Sequence, residues 1–150
     1  MKTFIISIEE ENSARLNKFL NQPFFQKDNL TFEKVGVKGG DLSAKEYFEL
    51  GVKGRSRPLS PSMVGCTLSH LEAMRKFLDS SEDFALILED DAILPNDFSA
   101  DLLEQQLKQM QLSPQFLFSI GGIQMKECRK VRGDIKDADS NPKCDTFVVS

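Results

Sequence analysis

The stretch Phe84–Phe98, FALILEDDAILPNDF, sets five apolar residues directly against three acids, Glu89, Asp90 and Asp91. A short, unbroken apolar run is the pattern of a strand buried on both faces, as in a parallel sheet. Three adjacent carboxylates repel one another, so positive charge or water must stand beside them. The reading of the whole chain follows from which of these it is.

Outward from that strand, the chain alternates strand and helix patterns. Thr3–Ile8, TFIISI, reads as a buried strand, and Asn12 or Ser13 can cap a helix with Leu16, Phe19 and Leu20 inside. Pro23 ends or bends that helix. Leu30–Val37 forms a second strand with Leu30 and Phe32 on one face. A Gly- and charge-rich connection follows, with a short helix around Ala44–Leu50. Ser60 and Pro61 open the next helix, whose stripe is Leu68, Leu71, Met74 and Leu78. After Phe84–Leu88, Asn96 or Asp97 caps a helix striped by Phe98, Leu102, Leu103, Leu107 and Met110, and Phe116–Ile120 is a further strand. Met125–Cys144 is polar and reads as a loop. Such alternation predicts an α/β domain with a mainly parallel sheet flanked by helices. The last residues, DTFVVS, turn apolar and β-branched again and then stop, so the chain reads as cut short.

Composition narrows the function. At 150 residues with 40% hydrophobic and 28% charged content, the chain fits one soluble domain. A net charge of −4 disfavours nucleic acid or an anionic membrane as the main partner, since both require a basic surface. The N-terminus lacks a signal-peptide cleavage pattern, and no apolar run approaches a membrane span. Cys66, Cys128 and Cys144 lack CxxC spacing, so reduced thiols in a cytoplasm are expected.

In open α/β sheets, ligands bind beyond the carboxyl ends of the strands. Glu89 and Asp91, one residue apart, can face the same way there, while Asp90 faces the other. Two such carboxylates suit a hard divalent cation shared with phosphates. The bland alternative is a solvated acidic turn leading into the next helix. A third is a magnesium-binding, receiver-like signalling module, whose acidic pair would belong near the first strand, where Glu9–Glu11 stand.

The segment Arg57–Leu94, RPLSPSMVGCTLSHLEAMRKFLDSSEDFALILEDDAIL, resembles glycosyltransferase family 25, the bacterial enzymes of lipooligosaccharide and lipopolysaccharide synthesis. The family's pattern joins a GC-x-LSH helix to a strand ending in EDD. Gly65, Cys66, Leu68, Ser69 and His70 stand in the first motif, and Glu89, Asp90 and Asp91 in the second. IISIEEENSAR resembles the family's first strand and turn, with Ile6, Ser7, Ile8 and Arg15 in step, and GVKGGDLS matches at Gly39 and Leu42. The family usually has Glu where Met63 stands and often Arg where Glu10 stands.

The resemblance implies a GT-A-like, Rossmann-related fold, incomplete here, with residues 1–150 the N-terminal portion of a family 25 domain. It implies transfer of a hexose, galactose being the commonest, from a UDP-sugar to a lipooligosaccharide or lipopolysaccharide acceptor. The place would be the cytoplasm, peripherally at the inner membrane. Glu89 and Asp91 would hold Mn2+ or Mg2+, and Ser7, Arg15, Gly65, His70 and Asp90 would serve the donor. No catalytic base is assigned. The rival is a truncated, non-catalytic remnant that keeps only donor binding.

Three of these residues also have plainer readings. His70 can be a helix histidine with one hydrogen bond. Cys66 reads as packing. Gly65 costs about 1 kcal/mol relative to Ala inside a helix, which implies close approach of another backbone or of the nucleotide.

Overall fold

A computed structural model describes residues 1–26, 30–110, 112, 116–120 and 147–149. The chain divides into two units, Met1–Asp101 and Leu102–Ser150.

The first unit is built on three parallel strands in the order β2-β1-β3: β1 Lys2–Ile6, β2 Phe32–Val35 and β3 Ala85–Glu89. In β1, Thr3, Phe4, Ile5 and Ile6 are all buried, as a central strand covered on both faces requires. Its register sets Phe4 beside Glu33 and Ile87, and Ile6 beside Val35 and Glu89. Side chains alternate along each strand. Phe4, Ile6 and Val35 thus share one face, where Ala73 joins them in a core flanked by Phe77, Ala85 and Ile87.

Helix α1, Ala14–Leu20, follows β1, and Ser13 is its cap, accepting the Leu16 N–H at 3.1 Å. Its buried residues are Leu16 and Phe19, while Leu20 is half-buried. The helix stops before Pro23, which opens a 3-10 turn over Pro23–Gln26. Phe24 of that turn meets the Phe98 ring edge-on at 5.2 Å, and Phe25 meets Phe19 and Phe32. Phe32 is nonetheless partly exposed on the edge strand.

After a 3-10 turn at Gly39–Asp41 comes the short helix α2, Ala44–Tyr47. Its capping box has Ser43 accepting the Glu46 N–H and the Glu46 carboxylate accepting the Ser43 N–H. A π-helical turn follows over Phe48–Val52. Helix α3, Pro61–Leu78, begins where the sequence places it, with Ser60 capping the Met63 N–H and Pro61 in the first turn.

The buried face of α3 differs from the expected stripe. Val64, Gly65, Ser69 and Ala73 are buried, whereas Leu71 is exposed and Leu78 is 79% exposed. Leu68 and Met74 are half-buried. The cause is distance of approach. A Cβ on Gly65 would lie 2.6 Å from both Gly39 N and Val37 O, and one on Gly39 would lie 1.7 Å from Pro61 O. Only small residues admit the chain so close, so Gly65, Ser69 and Ala73 face inward while Leu71 and Leu78 face solvent. Cys66, read as packing, is exposed, because one position past Gly65 is about 100° around the helix from the buried line.

Helix α4, Ala100–Gln109, starts beyond the Asn96 or Asp97 cap expected for it, and residues 96–97 form a turn. Leu107 is its buried residue, and Leu102 is exposed. In the second unit, β4 Leu117–Ser119 pairs antiparallel with β5 Phe147–Val149. The strand expected at Phe116–Ile120 exists, but in this two-stranded ribbon and not in the parallel sheet. The loop expected at Met125–Cys144, with Cys128 and Cys144, lies outside the described residues.

A candidate site at the switch point of the sheet

The strand order fixes where a ligand site can be. From β1 the chain moves to β2 on one side, then returns across to β3 on the other. Between β1 and β3 the winding reverses, and the crevice beyond their carboxyl ends is the place where open α/β sheets take ligands. Ser7 follows β1, and Asp90 follows β3.

These two residues meet. Ser7 is buried and its hydroxyl donates to Asp90 Oδ2 at 2.5 Å. Ser7 Oγ in turn accepts the Glu9 N–H at 3.1 Å. The Asp90 backbone N–H donates to Ile6 O at 3.2 Å, which carries the β1–β3 ladder one residue further and delivers the carboxylate to Ser7. On the other side Gly36 lets Ser7 sit close, because a Cβ there would lie 2.0 Å from Ser7 O.

Arg15 completes the cluster from the first turn of α1. Its Nε donates to Asp90 Oδ1 at 2.8 Å, and its Nη2 donates to the same oxygen. Nη2 also lies 3.6 Å from Asp91 Oδ2. The hydrogen bond to Asp90, and then that group's charge, push the Arg15 guanidinium above its ordinary value and hold it cationic. Asp90 is 7% exposed, and both its oxygens are engaged within the protein. A buried carboxylate requires such partners, since an unpaired one would carry a heavy desolvation cost.

The three acids therefore diverge. Asp90 turns inward to Ser7 and Arg15. Glu89 Oε1 lies 3.1 Å from His70 Nε2, and its side chain is 54% exposed. Asp91 is 69% exposed at its side chain. Glu89 and Asp91 both bear on Cys66, whose thiol is pushed up first by desolvation and then by these two carboxylates.

His70 stands one helical turn after Cys66 on α3 and is half-buried. Gly65 is occupied by backbone, that of Val37 and Gly39. Ser69, buried beside it, accepts the Val37 N–H at 2.9 Å and donates to Gly65 O at 2.8 Å, tying the end of β2 to α3.

Sequence reasoning missed Gln22. Its Nε2 donates to Ala92 O at 3.0 Å, and its Oε1 accepts the Leu94 N–H at 2.9 Å. Through this pair of bonds the turn after α1 holds the loop that follows the acids. A lone glutamine past a helix end carries no signal of such a partner 70 residues away. Cys66 was likewise read only as packing, although its spacing from His70, one helical turn, was legible.

No curated protein and no solved structure matches the chain. The sequence does match the family described as Glycosyltransferase family 25 (LPS biosynthesis protein) over residues 1–137, a span that holds the three parallel strands, α3 and every member of the Ser7–Asp90–Arg15 cluster. The chain belongs to glycosyltransferase family 25.

Proposed function

We propose that this glycosyltransferase moves a hexose, galactose in the first instance, from a UDP-sugar to a lipooligosaccharide or lipopolysaccharide acceptor at the cytoplasmic face of the inner membrane. The observation that carries the reading is the Ser7–Asp90–Arg15 cluster at the β1/β3 switch point, flanked by two exposed carboxylates. Glu89 and Asp91 would hold a hard divalent cation: both are exposed carboxylates at a strand end, and Mg2+ or Mn2+ needs only one or two carboxylates when phosphates complete the shell. When bound, Mn2+ or Mg2+ would neutralise the charge of the departing diphosphate.

The chain's own residues divide the remaining work. Asp90 holds Arg15 at the rim of the crevice, and the half-exposed guanidinium keeps donor groups for the nucleotide or its phosphates. Ser7 fixes the Asp90 rotamer and thereby the position of Arg15. His70 steadies Glu89 by the bond to Oε1 and would serve the donor beside it. Gly65 acts through the close approach it permits, which brings the Gly39 turn against α3. No helix among the described residues is long and apolar enough to cross a membrane.

Calorimetric titration of UDP with and without Mn2+ tests the proposal. Affinity should rise when the metal is present, and Asp91→Ala should remove that increment while leaving the thermal transition in place. Nucleotide affinity indifferent both to metal and to Asp91→Ala would refute the assignment of Asp91. Donor binding without transfer to any acceptor would reduce the activity of this chain to donor capture.

A further inference from the structure

Beside the Glu89 and Asp91 pair assigned above, a second donor set that shares Glu89 lies on the same rim. Cys66 Sγ, a His70 ring nitrogen and a Glu89 carboxylate oxygen all lie within 4.8 Å of one another. We propose that Cys66, His70 and Glu89 form a site for a thiophilic divalent cation of the Zn2+ class, with its fourth position open to solvent or an incoming ligand.

Three observations carry it. First, Cys66 and His70 are four residues apart on α3, so they project from one face, one turn apart, on a rigid 18-residue helix. Second, the end of β3 delivers the Glu89 carboxylate beside them, with Oε1 already 3.1 Å from His70 Nε2. Third, sulfur, imidazole nitrogen and one carboxylate oxygen make up a zinc donor set, with bonds of about 2.0–2.3 Å, whereas a hard cation takes oxygens. Ligand atoms bound at such lengths to a tetrahedral ion stand about 3.3–3.8 Å apart. The 4.8 Å span therefore closes by about 1 Å, within reach of side-chain torsions at exposed Cys66 and Glu89. Binding expels the thiol proton to solvent and leaves the thiolate on the metal.

The site overlaps the proposed donor site at His70 and Glu89 but needs neither Asp91 nor a nucleotide. A thiophilic ion held there would withdraw that carboxylate from a hard cation, so the two ions would compete.

Titration of the full chain with Co2+ alone, followed by absorption spectroscopy, reads the thiolate directly. A thiolate-to-cobalt charge-transfer band with tetrahedral d–d absorption is expected at one equivalent, displaced by Zn2+. The chain carrying Cys128→Ser and Cys144→Ser should keep the band, and Cys66→Ser alone should lose it. His70→Ala should weaken Zn2+ binding by at least ~10-fold in competition with a chromogenic chelator, the loss known for even outer-shell partners. Asp91→Ala should leave the band unchanged, which separates this site from the one that serves UDP. An octahedral spectrum without the charge-transfer band, or a band that survives Cys66→Ser, overturns the proposal.

Discussion

Asp90 and Asp91 are sequence neighbours with the same formal charge, and their surroundings give them opposite tasks. Asp90 is buried against Ser7 and Arg15, whereas Asp91 stands largely in solvent with only a 3.6 Å approach from Arg15. Asp90→Ala should therefore cost about 2 kcal/mol in urea denaturation, because it strands a buried hydroxyl and removes charge-assisted bonds. Asp91→Ala should stay within about 0.5 kcal/mol of the parent chain. Equal effects from the two substitutions would contradict the inward placement of Asp90. The triplet itself was legible in the sequence, as was the opposite facing of Asp90. That Asp90 is the acid locked to Arg15 was not, because the pairing spans 75 residues and depends on β1 and β3 lying side by side.

At the scale of the element, α3 is the informative case. Its start was readable from Ser60 and Pro61, since a cap and an N-terminal proline act locally. Its buried face was not. Leucine spacing pointed to one stripe, and the helix buries Val64, Gly65, Ser69 and Ala73 because the Val37–Gly39 segment passes too near for large side chains. Gly65→Ala tests this. In a free helix the change would help by about 1 kcal/mol, but here the methyl meets Gly39 N and Val37 O at 2.6 Å. A net loss of about 1–3 kcal/mol is expected in thermal denaturation, the range of overpacked sites. Ser69→Ala should also destabilise, by about 1 kcal/mol, because it strips the half-buried Val37 N–H of its acceptor. A stabilised Gly65→Ala chain would show that the loop can retreat, and the small-residue account of this face would fail.

Over the whole molecule, Glu33 ties the edge strand β2 to its neighbours. It pairs with Lys76 of α3 and lies 3.4 Å from Lys2 of β1. The Lys76 hydrogen bond, and then the nearby lysine charges, hold Glu33 below the ordinary carboxylate value of 4.5. The folded value is the lower one, so the contribution to stability is present above 4.5 and is lost as pH falls through the folded value. All three side chains are about a third exposed, which limits the effect to about 1 kcal/mol or less. Urea midpoints at pH 7 and about pH 3.5 should separate less for Glu33→Gln than for the parent. An unchanged separation would mean the pair is solvated away.

The sequence by itself determined the α/β class, the buried strands β1 and β3, the caps of α1 and α3 and the family pattern. Each is written in neighbouring residues, through apolar runs, period and capping chemistry that act within a few positions. The tertiary structure alone decided the strand order β2-β1-β3, the seating of Asp90 between Ser7 and Arg15, and the clamp of Gln22 on the loop after the acids. It also decided the inward turn of the small face of α3 and the meeting of Cys66, His70 and Glu89. These rest on contacts between residues far apart in the chain, where the closeness of two backbones outweighs the apolar preference of a single helix.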